Sequence, residues 1–166
     1  MPGIAHMFTQ GLTELATAGA REPVGTIRRE ASKTYKYVKF VKGAGSVAVL
    51  AGHVVGYVNL AGYNANEATA DTSPVTVSGA GIALVAATVA QMDAANGAHG
   101  WIQIAGISGI LAVDIGGTPT IGQSAIAGAA DGSLDMMVAT GTNDPVLGVI
   151  IDTTAAAMKV VCQFPQ

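Results

Sequence analysis

A glycine-rich stretch, Gly43-Ala44-Gly45-Ser46-Val47-Ala48, has the G-x-G-x-x-A spacing of a dinucleotide-binding turn and follows a predicted strand. Such a turn binds pyrophosphate only when a helix follows it, because the N–H groups at the helix N-terminus face the phosphates. Residues 47–58 are instead rich in valine, and Gly52 and Gly56 interrupt any helix there. The motif therefore predicts a hairpin turn, and we expect no cofactor.

Residues that could act as nucleophiles, bases or metal ligands lack the spacings that catalysis requires. No G-x-S-x-G nucleophile motif is present, and Gly106-Ile107-Ser108-Gly109 has the wrong spacing. His53 and His99 could meet in the folded chain, although nothing in the sequence pairs them. Neither the histidines nor Cys162 has a neighbouring ligand at metal-site spacing, and Asp131-Gly132 is typical of a tight turn. We therefore expect neither an enzyme nor a metal site.

Positive charge is concentrated in one short segment of a chain whose formal net charge is −3. Residues 43–158 contain no lysine or arginine, whereas eight acidic residues are spread over them. A basic segment on an acidic body can bind an acidic partner, but the body would repel nucleic acid and offers few aromatic rings for base stacking. The predicted docking residues are seven of the eight basic residues, namely Arg21, Arg28, Arg29, Lys33, Lys36, Lys39 and Lys42.

The composition predicts a β-rich protein with a partly covered surface. Half of the residues are apolar, but small and β-branched types and 22 glycines dominate, and only 5% of the residues are aromatic. These residues suit short strands joined by tight turns. Charged residues make up 11% of the chain, against about 25% in an ordinary domain. Because a free monomer with so few charges would self-associate, we expect copies or partners to cover much of the surface.

Two uncharged stretches, residues 72–92 and 94–113, are long enough to span a bilayer but do not read as membrane helices. The first contains Pro74 and several hydroxyl residues, the second contains His99 and four glycines, and basic residues flank neither. The start of the chain also lacks the pattern of a signal peptide. We therefore expect no membrane partner.

The N-terminal region predicts an arm followed by an unusual strand. Residues 1–24 form the predicted arm, with a short helix over residues 9–18, and residues 25–166 form the predicted β-rich domain. Strand-forming residues fill the stretch 26–42, in which lysine recurs at every third position and so falls on both faces of a strand. This pattern fits an edge strand or a strand that lies on a partner. Alternatively, the lysines are solvated residues that prevent edge pairing.

Short strands with frequent turn signals follow, which favours an all-β fold, either a small β-barrel or a β-sandwich with an extended N-terminal arm. Residues 62–73 read as an exposed loop and residues 89–95 as a short helical turn. The predicted strands are residues 46–50, 53–59, 75–78, 81–86, 100–105, 109–114, 123–128, 133–139, 146–152 and 158–164.

Three aromatic residues, Tyr35, Tyr37 and Trp101, are predicted to anchor the core or an interface between subunits, because an aromatic side chain on a strand buries a large area. Sugar stacking by Trp101 is the alternative, although sugar sites commonly add further exposed aromatic residues. Cys162 is the single cysteine, which rules out an intrachain disulfide, and its valine neighbours predict a buried, inert thiol.

Several segments combine aromatic, glycine and aliphatic residues in a distinctive way. They are Thr34-Tyr35-Lys36-Tyr37-Val38-Lys39-Phe40 followed by Val54-Val55-Gly56-Tyr57, then Gly100-Trp101-Ile102-Gln103-Ile104-Ala105-Gly106, and finally Val146-Leu147-Gly148-Val149-Ile150-Ile151-Asp152 with the strand at 158–164. Together they resemble the capsid decoration proteins, or cement proteins, of tailed bacteriophages. The likeness runs from about residue 25 to residue 164.

That resemblance implies a virion structural protein without enzymatic activity, which binds the outside of the phage head and stabilises contacts between major capsid subunits. Its expected partners are the major capsid protein and further copies of itself in a homotrimer, with neither nucleic acid nor membrane. Its expected location is the capsid surface, after synthesis in the host cytoplasm. The alternative function is a tail-fibre or receptor-binding virion component, which would expose aromatic residues to glycans or host cells.

Overall fold

The computed structural model describes residues 8–57, 60–72, 78–112, 115–137, 146–154 and 157–164. Within them the chain forms ten strands and two short helices. The strands are β1 (Ile27–Glu30), β2 (Lys33–Phe40), β3 (Val54–Tyr57), β4 (Glu67–Thr69), β5 (Ser78–Ala83), β6 (Ala98–Ile107), β7 (Ser124–Ala127), β8 (Leu134–Met136), β9 (Gly148–Asp152) and β10 (Lys159–Gln163), and the helices are α1 (Leu60–Ala65) and α2 (Val89–Asp93).

Five of the strands close into a barrel in the order β2-β4-β3-β5-β6. The ring closes because β6 pairs antiparallel with β2, from Thr34 opposite Ala105 to Phe40 opposite Ala98. Only the β2–β4 contact within this ring is parallel. The all-β prediction is therefore confirmed, and of the two architectures considered, the structure contains the small barrel.

The other strands extend this ring on two sides. Strand β6 is ten residues long, and its end, from Ala105 to Ile107, pairs with β10, with Gly106 and Ile107 lying beyond the part that pairs with β2. From β10 the sheet continues through β9, β7 and β8, and we call these four strands the open sheet. On the other side, β1 forms a hairpin with β2 in which Glu30 faces Lys33. Strands β1 and β8 are the two ends of the strand order.

Strand β2 is buried on both faces, which contradicts the prediction of an edge strand. Val38 and Phe40 belong to the main core, whereas Tyr35 and Tyr37 belong to a second cluster on the opposite face. Neighbouring strands pair with β2 along both of its edges. Lysine at every third position among apolar residues therefore occurs here in a strand with two covered faces, which the local pattern does not distinguish from an edge strand.

The N-terminal segment, described from residue 8 to residue 24, has no helix and lies against the outside of the barrel. Ala16 forms an isolated bridge with His99 of β6, with both N···O distances 2.9 Å. The prediction of a helix over residues 9–18 is wrong. An isolated helix of that length is marginal in water, and the backbone of Ala16 bonds to the sheet instead.

The other predicted elements agree with the observed secondary structure only in part. The loop prediction for residues 62–73 is wrong, because this stretch contains the end of α1 and all of β4. The predicted strand at 46–50 shrinks to one bridge between Val49 and Ala87, and residues 109–112 form no strand. Helix α2 confirms the predicted helical turn, and Thr88 and Gln91 form its capping box. The predictions for residues 75–77, 113–114 and 138–139 fall outside the described residues.

Candidate functional site

The three predicted aromatic anchors meet on the outer face of the barrel beneath the N-terminal segment. The side chains of Tyr37 and Trp101 are fully buried, and their rings meet edge to face with centroids 5.1 Å apart. Phe8 of the N-terminal segment adds a second edge-to-face contact with Trp101 at 5.5 Å. Tyr35 completes the cluster. All three residues therefore lie in a core within this one chain.

Hydrogen bonds attach the N-terminal segment to this aromatic cluster. The Tyr37 hydroxyl donates to the side-chain oxygen of Gln10 at 2.5 Å and accepts from the backbone N–H of Arg21 at 3.3 Å. Arg28 lies over the rings of Phe8 and Trp101, at 4.8 and 5.9 Å from their centroids, and pairs with Glu30. Arg28 is thus part of the cover of the cluster, where cation–π contact and an ion pair hold its guanidinium.

Lys36 lies inside the molecule and not on its surface. Only 6% of the residue is exposed, and its ammonium donates to the hydroxyl of Tyr57 at 3.0 Å. The rings of Tyr57 and Tyr63 flank the Nζ atom, with centroids at 5.3 and 5.5 Å. Burial lowers the pKa of Lys36 and raises the pKa of Tyr57 to about 12. A partner protein cannot use this lysine as a docking residue in the structure described.

Lys39 and Lys42 line an open cleft of about 450 Å³ at one end of the barrel. Each is neutralised by a carboxylate, since Lys39 pairs with Glu67 at 2.9 Å and Lys42 pairs with Asp93 at 2.8 Å. These ion pairs are partly exposed, so each contributes little to stability. The cleft therefore carries balanced charge and not the positive field that the sequence alone indicates.

The glycine-rich motif forms a turn that an internal carboxylate occupies. Asp71 is buried, and its side-chain oxygen accepts the backbone N–H of Gly45 at 2.6 Å. A Cβ atom at Gly43, whose φ is +69°, would lie 2.5 Å from Asp71. No helix follows the turn, in agreement with the prediction of a turn, but the flanking strands β2 and β3 do not pair with each other, so the turn does not form a hairpin. The site that a phosphate would need is filled by Asp71.

Arg29 and Lys33 differ from the other predicted docking residues. Within the described residues, neither has a carboxylate within ion-pair distance, whereas Arg21 pairs with Glu14 at 3.5 Å. Both lie on the β1–β2 hairpin, where Arg29 is exposed and Lys33 half-buried. Among the described strands, β1 pairs with β2 alone, so within the described residues its other edge keeps free backbone N–H and C=O groups. We call this part of the surface the basic hairpin.

The two histidines lie in different surroundings within the described residues. His53 packs against Gly132, whereas the ring of His99 stacks on Tyr37 with centroids 6.3 Å apart. Burial lowers the pKa of both histidines. No cluster of three or more potential metal ligands occurs in the described part of the chain. Cys162 is buried, as predicted, and burial raises its pKa to about 12, which keeps the thiol protonated.

Sequence reasoning missed a set of exposed aliphatic side chains. Leu50, Ile107, Ile110 and Ile121 are each at least half exposed. They follow or precede glycine-containing turns, so a local signal existed, but the hydrophobic pattern alone predicts burial for such residues. Large aliphatic side chains that remain exposed on a charge-poor surface mark an interaction surface when they cluster.

Comparison with known proteins found no relative of this chain. No protein-family model, no curated protein and no solved structure matches it. Neither described helix is long and apolar enough to cross a bilayer.

Proposed function

We propose that this chain is a structural protein of a phage virion that binds the outside of the head and stabilises contacts between major capsid subunits. The sequence resemblance to capsid decoration proteins and the small share of charged residues, 11%, support this proposal. The barrel also supports the proposal, because its interior is occupied by apolar side chains such as Phe40, Ile82 and Ile102. The accessible chemistry of such a molecule lies on its outside.

The basic hairpin is the observation that carries the docking part of the proposal. Five of the seven predicted docking cations are satisfied within the chain, by carboxylates or by burial, which leaves Arg29 and Lys33 for a partner. The hairpin combines these two charges with the free edge of β1. An acidic, extended segment of a capsid subunit could pair with that edge and place its carboxylates beside the two cations.

The tail-fibre or receptor-binding alternative receives less support from the same residues. Such a component needs exposed aromatic rings for stacking on sugars. Trp101, Tyr37, Tyr57 and Phe40 are all fully or almost fully buried, and of the described tyrosines only Tyr63 exposes more than a third of its surface. A glycan-binding role would therefore depend on one exposed ring in the described part of the chain.

Co-sedimentation with empty heads of the source virus, prepared without a decoration protein, tests the proposal. Deleting residues 1–42 would also remove β2 from the barrel, so point variants are the sharper tool. We expect the wild-type chain to pellet with the heads. We expect the double variant Arg29→Glu/Lys33→Glu to bind about tenfold more weakly, which corresponds to about 1.4 kcal/mol. The loss should shrink at high salt because exposed charges are screened.

Lys159→Glu is the matched control, because it reverses a half-buried lysine that is not part of the basic hairpin and lies on β10 opposite Asp152 of β9. Its binding to heads should equal that of the wild type. Absence of wild-type binding would reject the proposed function, whereas equal binding by wild type and double variant would reject only the basic hairpin. Electron microscopy of decorated particles adds a second readout, since density on the tail instead of the head would favour the receptor-binding alternative.

A further inference from the structure

An apolar groove of about 200 Å³ lies on the outside of the barrel. It is lined only by uncharged residues, including Ala51, Ile82, Leu84 and Ile110. Leu84 also packs against the aromatic cluster, so the groove has a fixed floor. An apolar cavity of about 150 Å³ is enough to admit a benzene-sized group, so this groove has room for one branched aliphatic side chain.

The wall of the groove is held in place by the backbone. The N–H of Ala112 donates to the carbonyl of Gly52 at 3.0 Å, and the N–H of Leu111 donates to the carbonyl of Met158 at 3.1 Å. Gly52 has φ +90°, and a Cβ atom there would lie 2.6 Å from the carbonyl oxygen of Ile110. The segment that carries Ile110 therefore sits tightly on Gly52, and the groove exists before any ligand arrives.

The edge of the groove exposes apolar surface to water. Ile110 is 53% exposed and lines the groove, and Leu50, beside the lining residue Ala51, is 50% exposed. Exposed aliphatic side chains favour the binding of a partner that covers them, because burial removes their contact with water.

A matching projection lies on the open sheet. Ile121 is 64% exposed, the highest value among the large hydrophobic residues of the described chain. Its turn is fixed by the Gly122 N–H, which donates to the carbonyl of Ile150 at 2.8 Å, and by the Thr120 N–H, which donates to the side chain of Gln123 at 2.9 Å. Residues 115–123 contain no charged side chain. The turn therefore presents one aliphatic side chain on a rigid, uncharged support.

We propose that the groove receives the Ile121 turn of a second copy of this chain. Two properties single out a second copy as the occupant. The projection and the groove are both free of charge, so two molecules with the same net charge of −3 can meet there without like-charge repulsion. The chain itself also supplies the exposed aliphatic side chain that the groove can hold, and each contact shields one exposed patch on each of two molecules.

The groove is on the barrel and the projection is on the open sheet, so each contact joins two different surfaces, and in the proposed arrangement the copies associate head to tail. Such heterologous contacts close into rings when the rotation between copies permits, and otherwise produce filaments. The inference deepens the proposed function, since it names the surfaces through which copies of a decoration protein would assemble. A stable interface requires roughly 800 Å² from each partner, which is more than one turn and one groove provide. The turn and the groove therefore form the apolar centre of the interface, and neighbouring polar residues form its rim.

Light scattering after size-exclusion chromatography of the full chain tests the inference, with circular dichroism to verify folding. We expect the wild type to form a multimer at about 0.1 mM. Ile121→Asp and Ile110→Asp each place a charge on one side of the contact at an exposed position, so each should fold and be monomeric. Val24→Asp is the matched control, an exposed aliphatic residue outside both surfaces, and should assemble like the wild type.

Mixing the two variants tests whether the groove and the projection bind each other or each binds its own counterpart on a second copy. Ile121→Asp keeps an intact groove and Ile110→Asp keeps an intact projection, so their mixture should form one-to-one dimers and nothing larger. A monomeric wild type, variants that assemble normally, or a mixture without dimers would overturn the inference. Head binding is measured separately, so monomeric variants that still bind heads would leave the proposed function standing, and assembled wild type that ignores heads would reject that function alone.

Discussion

The closed barrel and the open sheet bury their side chains in different ways. In the barrel, the large rings of Tyr37, Phe40, Tyr57 and Trp101 are buried, and the N-terminal segment covers the outer face of β2 and β6. The strands of the open sheet bury mainly aliphatic residues, such as Leu134 and Ile150, and end at the edge strand β8. A closed ring leaves no strand edge inside it, whereas an open sheet does.

The basic residues are also distributed unequally between the barrel region and the open sheet. All seven cations between Arg21 and Lys42 belong to the N-terminal segment, to β1 and β2, or to the end of the barrel, whereas the open sheet carries Lys159 as its one basic residue. From this comparison we predict that the barrel is the more stable scaffold and that the open sheet has the lower local stability. Four predictions test that division.

The largest expected effect follows from removing the centre of the aromatic cluster. Trp101→Ala should destabilise the chain by about 3–5 kcal/mol, because it leaves a cavity between the barrel and the N-terminal segment. Denaturant unfolding monitored by circular dichroism measures this change. Val146→Ala, at an exposed position beside β9 of the open sheet and outside the proposed contact between copies, is the control and should change stability by less than about 0.5 kcal/mol. Equal stabilities of the two variants would contradict the view that the aromatic cluster stabilises the barrel.

A smaller and more local effect is expected in the open sheet. Leu134→Ala removes a fully buried side chain from β8 and should cost about 2–4 kcal/mol. Hydrogen exchange should show the loss of protection mainly in β7 and β8, with the amides of β2 and β6 close to their wild-type protection. Uniform loss of protection over the whole chain would instead mean that the barrel and the open sheet unfold as one unit.

The attachment of the N-terminal segment depends on one buried hydroxyl. Tyr37→Phe removes the bonds to Gln10 and Arg21 and should destabilise the chain by about 1–2 kcal/mol, with faster proteolysis of residues 8–24. Tyr35→Phe is the control, because within the described residues the Tyr35 hydroxyl has no hydrogen-bond partner. If Tyr35→Phe accelerates proteolysis as much as Tyr37→Phe, this account of the attachment is wrong.

The smallest effect concerns the two buried histidines. Burial lowers the pKa of His53 and His99 below the unfolded value, with Asp131 opposing the shift at His53 and Lys39 reinforcing it at His99. Below about pH 6.5 the unfolded chain binds protons that the folded chain does not, so stability is complete above that pH and falls as the pH decreases. Unfolding midpoints between pH 5 and pH 8 measure the slope, which His53→Gln/His99→Gln should flatten. A slope that the double variant leaves unchanged would assign it to other groups.

The sequence by itself determined the all-β class and the character of its local turns. The Gly43–Gly45 turn, the helical turn at α2 and the buried thiol of Cys162 were predictable, because each depends on residues within a few positions. Strand β4 was not predictable, since its three residues show no hydrophobic alternation and become a strand only by pairing with β2 and β3. Closure of the barrel therefore depends on contacts between distant segments.

The candidate surfaces were likewise predictable from the sequence only in part. The sequence identified a basic segment, but the spacing of Lys36 and Lys39 does not reveal that one is enclosed by tyrosines and the other is paired with Glu67. The exposure of Ile110 and Ile121 likewise depends on how the barrel and the open sheet leave their turns uncovered. Local pattern specifies which face of a strand a residue lies on, whereas only the tertiary structure decides what covers that face.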